Sequence, residues 1–173
     1  MVEIARCRIW DYRAAEALGP LRRAMPAMRR SGSLRALSSL TVLAAVAYQH
    51  VVRPAEALAA LDEMERLAEV ANNRHRLCEH AILRSETLLA VGDVRGAMTY
   101  ADDAIRFGTN PAHPELHLAH AQRGAVLAAQ GRYRAAANAL TPVARPRRVE
   151  PPTKGPTLPS FAIVGRKLPN AGQ

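Results

Sequence analysis

The stretch Gly92-Asp93-Val94-Arg95-Gly96-Ala97-Met98 returns 39 residues later as Gly131-Arg132-Tyr133-Arg134-Ala135-Ala136-Ala137. Each copy joins a glycine turn to an alanine-rich helical start. Upstream, Arg53-Pro54-Ala55-Glu56-Ala57-Leu58-Ala59-Ala60-Leu61 and Asp11-Tyr12-Arg13-Ala14-Ala15-Glu16-Ala17-Leu18 keep the same outline. Aligned on the alanine after each turn, the copies fall on Ala15, Ala57, Ala97 and Ala136, spaced 42, 40 and 39 residues. A period this steady marks stacked supersecondary units, each too small to bury its apolar face alone.

Helical patterns flank every turn. First helices are predicted over Leu34 to Tyr48, Arg74 to Val91 and Pro114 to Gln130, and second helices over Pro54 to Ala71, Val94 to Phe107 and Tyr133 to Ala144. In the middle pair Ala97, Ala101, Ala104 and Ile105 recur at helical spacing, while Asp102, Asp103 and Arg106 face elsewhere. Small residues at recurring positions let helix backbones approach closely. Residues 3–10 supply only the last turns of a leading helix, so the chain is expected to begin in mid-repeat, as a piece of a longer array or one completed by a partner. Terminal repeats usually carry a polar cap, and a homodimer through this uncapped N-terminal end is the expected alternative. The reading is an all-α fold: a right-handed superhelical array of antiparallel helix pairs, about 3.5 repeats, over residues 1–145. Residues 146–173 form a Pro-rich basic tail expected to be disordered.

These residues resemble the tetratricopeptide repeat family. Gly124, Gly131, Tyr133, Ala136 and Leu140 stand where that repeat usually places glycine, glycine, tyrosine, alanine and a large apolar residue. Leu88, Gly92, Ala97, Ala104 and Pro111 match in the preceding pair, and Ala45, Tyr48, Ala57 and Leu61 in the one before. Two departures stand out: the period exceeds the family's 34 residues, and Arg84 and Arg123 occupy a position where an apolar residue is usual. Longer, alanine-rich repeats of this kind are similar to the solenoid segment of large ATP-dependent LuxR-type transcription activators, a likeness carried best by Pro54 to Ile105.

The resemblance implies a non-catalytic protein–protein interaction module that binds a peptide or helix on the concave face formed by the first helices. Carried over residue by residue, that face holds Val42, Val46 and Gln49, then Glu79, Ile82, Glu86 and Leu89, then Leu118, Ala121 and Ala125. Its apolar character and acidic centre favour a basic amphipathic helix or an extended peptide. The alternative is a sensing or regulatory fragment of a LuxR-type regulator.

Composition narrows the remaining classes. The chain has 173 residues and a net charge of +9, which would invite a nucleic-acid reading if the charge were clustered. It is not: residues 36–107 carry a net −3, and the basic residues gather at the two ends without interleaved aromatics. Nucleic-acid binding by this chain alone is therefore not expected. No run of 18 uncharged apolar residues exists, so no spanning helix is expected. The segment from Met28 through Ala47 imitates a secretory signal, but the helix after it needs a packing mate, and the repeat reading is preferred. Two cysteines, Cys7 and Cys78, cannot build a disulfide framework, which fits a cytoplasmic protein.

Neither metal nor cofactor is expected. His113, His117 and His120 have helical spacing, but no Cys or Asp completes a set and Glu115 points elsewhere. In the group His75, Cys78, Glu79 and His80, the last two diverge from the first two. No phosphate loop, nucleophile elbow or His-Glu-x-x-His occurs, so no enzymatic activity is expected. The carboxylates of Asp62, Glu63, Glu65, Asp102 and Asp103 are read as charged outer faces of second helices.

Overall fold

The computed structural model describes residues 2–10, 13–109 and 114–144. The predicted tail, and with it His113, lies outside the described residues. Among those residues the fold is all-α: α1 (Val2–Trp10), α2 (Ala14–Ser31), α3 (Leu34–His50), α4 (Pro54–Val70), α5 (Arg74–Ala90), α6 (Val94–Thr109), α7 (Leu116–Ala129) and α8 (Tyr133–Ala144).

The starts follow local chemistry. Ser33 and Asn73 cap α3 and α5, accepting from the backbone N–H of Ala36 and Arg76. Asp93 does the same before α6, accepting from Gly96 N–H at 2.9 Å. Pro54 opens α4, where its missing N–H costs nothing.

The three turns inside the helix pairs share one hydrogen-bond pattern, which the α4–α5 turn repeats at Asn72, φ 46°. Val52, Gly92 and Gly131 donate to Gln49, Leu89 and Ala128, and the next residues, Arg53, Asp93 and Arg132, donate to Tyr48, Leu88 and Leu127. Each turn needs a left-handed residue, with φ 55°, 84° and 73° in turn. Glycine supplies that conformation without strain at the last two turns; at the first, a β-branched valine is forced into it.

Each helix packs on its chain neighbour. Backbones of α1 and α3, α3 and α5, and α5 and α7 also approach one another, whereas among the described residues the even-numbered helices make no such approach. The core is a string of small clusters. Ala5, Ala17, Leu21, Leu40 and Ala47 join the first three helices; Ala45, Leu61 and Met64 join α3 to α4. Cys78, Ala81, Ile82, Ala104 and Ala119 join α5 to α7, and Leu127, Ala136 and Ala139 close the α7–α8 pair.

The alignment of the first copy needs correction. Ala57, Ala97 and Ala136 each donate their turn's first helical bond, from their own N–H to the carbonyl of Arg53, Asp93 and Arg132, and all three are buried. Arg13 is the N-cap of α2, and the alanine four residues on is Ala17, fully buried, whereas Ala15 is exposed. With Ala17 in register the spacings become 40, 40 and 39.

Small residues face the turn alanines from the first helices. Ser85 donates to the Ala97 carbonyl at 2.7 Å. At Gly124 an added Cβ would come within 3.0 Å of Leu140 Cδ2. A larger side chain at Gly124 would press on Leu140, and the equivalent positions of the earlier pairs are likewise small, Ala45 and Ser85.

Candidate functional site: the seam between the odd-numbered helices

Polar side chains join α3 to α5. Gln49, near the end of α3, donates through Nε2 to the Leu83 carbonyl at 2.9 Å and to Thr87 Oγ1 at 2.8 Å. A carbonyl only accepts, so the Leu83 bond fixes which end of the amide faces α5. Gln49 Oε1 is left without a partner among the described residues.

Beside that amide opens a cavity of about 330 Å³. Thr87, Ala90 and Val91 wall it from the α5 side, and His50, Val52, Arg53 and Pro54 from the α3–α4 turn. Glu86 also lines it. Its side chain reaches solvent, yet protein surrounds it densely, and desolvation alone raises its carboxyl pKa above the ordinary value. These two descriptions agree for a group on the wall of a concavity. No ion pair or hydrogen bond to the Glu86 carboxylate exists among the described residues.

The other expected groove residues scatter in role. Val46 and Ala121 are half-buried on the odd helices, while Leu118 and Ala125 are exposed. Val42 packs against the Ala45–Leu61–Met64 cluster and Leu89 against Ala97, Ala101 and Val126. Glu79 is engaged by Arg76. Ile82 is buried among Cys78, Ala81, Ala104 and Ala119, so it belongs to the core and not to an exposed face. The structure thus brings Gln49 and Glu86 together and leaves the rest strung along the seam. Val52 and Ala90 were missed by sequence reasoning; the recurring turn position was the signal that could have found Val52.

A second polar cluster lies between α4, α5 and α6. His80 is fully buried, edge-to-face with Tyr100, and its Nε2 has no hydrogen-bond partner, the Glu65 carboxylate lying 3.8 Å away. Burial, helped by Arg84, lowers its pKa to about 4, so the ring is neutral at pH 7. Glu65 is raised, chiefly by desolvation. Arg84 pairs with Asp62 and lies 5.0 Å over the Tyr100 ring. One pair later, Arg123 donates to Asp102 at 2.7 Å. The two arginines that depart from the repeat pattern therefore tie first helices back to the preceding second helix, and Asp62 and Asp102 are their counter-ions as well as outer-face charges.

Other reactive groups are committed to structure. The Cys78 thiol donates to the Ala104 carbonyl at 3.3 Å, and desolvation, then Glu115 and Glu79, push its pKa up to about 11. A thiol so protonated is a poor nucleophile at neutral pH. His117 is exposed, its Nδ1 3.1 Å from the Pro114 carbonyl, and His120 is half-buried with a pKa lowered by burial and Arg123. Among the described residues no three His, Cys, Asp or Glu side chains are placed to hold a metal ion, and no helix is long and apolar enough to cross a membrane. No protein-family model, curated protein or solved structure matches this chain.

Proposed function

We propose that the chain is a non-catalytic protein-binding module, a tetratricopeptide-like right-handed solenoid that works in the cytoplasm and holds a peptide or helix along its odd-numbered helices. One observation carries this reading: among the described residues, the odd-numbered helices approach one another while the even-numbered ones do not. A row of pairs held together on one side and spread on the other curves toward the close side. The string of small clusters, each shared only by near neighbours, supports the same reading, because repeat arrays bury their cores in that piecewise way. A partner segment would bury apolar surface against Val46, Ala121 and Ala125, with polar groups setting its register.

Selection of binders from a random-peptide library on the intact chain tests this. Amide chemical shifts recorded on adding a selected peptide should move along α3, α5 and α7. Shifts confined to α4, α6 and α8, or a library that yields no binder, would overturn it.

A further inference from the structure

We infer that the α3–α5 cavity takes the cationic side chain of a lysine or arginine on the bound partner segment, with the Glu86 carboxylate and Gln49 Oε1 as its two acceptors. This rests on the peptide-binding reading above and specifies its anchor.

The acceptors come first. Glu86 and Gln49 line the same cavity of about 330 Å³. Gln49, a lining residue, is clamped through Nε2 by its two bonds to α5, which leaves its remaining polar atom, an acceptor, uncommitted. Glu86 has no counter-ion among the described residues, and burial without compensation is what raises its pKa. A cation placed there would restore the interaction that the carboxylate has lost with water. The helix ends add to this. Both α3 and α5 end at the cavity, at His50 and Ala90, and the carboxyl ends of helices carry partial negative charge.

The walls fit the stem of such a side chain. Val52, Pro54, Ala90 and Val91 present apolar surface, against which the methylenes of lysine or arginine pack while the head reaches the acceptors. Val52 is an independent sign. It is 84% exposed at φ 55°, in a turn position held elsewhere by Gly92, Gly131 and Asn72, residue types that tolerate the left-handed region better than a β-branched one. Neither burial nor backbone preference accounts for a valine there, and strain of that kind collects at binding sites. One cation already borders the cavity, Arg53, but its guanidinium is engaged by Glu56 and lies 5.7 Å over the Tyr48 ring.

Nα-acetyl-lysine methylamide and Nα-acetyl-arginine methylamide, with Nα-acetyl-norleucine methylamide as the neutral isostere of lysine, are the probes, each titrated into the full chain and followed by side-chain NMR. The cationic probes should shift Gln49 and Glu86 saturably, roughly tenfold more tightly than norleucine, and Glu86→Gln should remove that difference. Glu86 lies on an exposed helical surface, and circular dichroism of the variant should match the parent. Equal response to all three probes would overturn the inference and leave a groove that takes apolar side chains, so the peptide-binding reading would stand. A preference for cations that survives Glu86→Gln would also overturn it. No response anywhere on α3, α5 or α7 would overturn both.

Discussion

Val52 closes the turn between α3 and α4 at φ 55°, the left-handed conformation that Gly92 adopts at φ 84° between α5 and α6. The two residues make the same backbone hydrogen bond, to Gln49 and to Leu89. A β-branched side chain pays about 1–2 kcal/mol for that conformation and glycine does not. Val52→Gly is therefore expected to stabilise the fold by about 1 kcal/mol, after the added freedom of the unfolded chain is subtracted. Urea unfolding at constant slope measures it. A variant less stable than the parent would show that the exposed valine makes a contact the strain estimate ignores.

His80 gives the chain a predictable acid sensitivity. Its pKa is about 4 in the fold against an ordinary 6.5, so between those values the unfolded chain binds a proton that the folded chain refuses. Stability should fall by about 3 kcal/mol as pH drops through that window and then level off. The raised pKa of Glu65 acts in the opposite sense, just above the ordinary carboxylate range, so the clean readout is the difference from a His80 variant. Leu40 holds the equivalent place in α3, fully buried. His80→Leu should be more stable at pH 7 by about 1 kcal/mol, since a buried unpaired nitrogen disappears, and the gap should widen toward pH 4. Denaturant midpoints across pH check both statements.

Gln122, Ser85 and the Ala97 carbonyl form a buried chain, 3.0 Å and then 2.7 Å, that links α7 to α5 and α5 to α6. Ser85→Ala leaves the Gln122 amide buried without that partner and should cost about 1–3 kcal/mol. Leucines at 43 and 83 occupy the Gln122 position in the earlier pairs, and alanine at 45 the Ser85 position. The double variant Ser85→Ala/Gln122→Leu should recover most of the loss, and a double-mutant cycle measures the coupling. Additive losses would mean the two groups are not one unit.

The Arg123–Asp102 pair is largely exposed, at 37% and 54% of its side-chain surface. Arg123→Met should cost less than about 1 kcal/mol. Leu61, fully buried between α3 and α4, should cost about 2–5 kcal/mol when cut to alanine. Thermal or urea unfolding of the two variants side by side would show the reverse order if the ion pairs, and not the small apolar clusters, held the helices together.

Much of this architecture was legible in the chain. Helix starts at Leu34, Pro54, Arg74, Val94 and Tyr133 followed from the recurring turns and the helical patterns that flank them. The first register was misread because Tyr12-Arg13-Ala14-Ala15 imitates Tyr133-Arg134-Ala135-Ala136 in side chains, while the backbone aligns Arg13 with Arg132. Arg13 makes no side-chain cap bond, so nothing in its type announces the start of α2. The candidate site was harder. Helical spacing placed Glu86 and Gln49 on the right helices, but only packing distinguishes an accessible Glu86 from a buried Ile82 four residues away. The arginines at 84 and 123 read as departures because their counter-ions, Asp62 and Asp102, lie on another helix, 22 and 21 residues back.

Placing the partner on the odd-numbered helices is the central claim, and one comparison of dissociation constants tests it. Ala90 is exposed at the end of α5 beside the cavity, and Ala137 is exposed on α8. For a library-selected peptide, Ala90→Arg should weaken binding by roughly tenfold or more, about 1.4 kcal/mol, while Ala137→Arg leaves it within about twofold. The reverse pattern, or two unchanged constants, would contradict it.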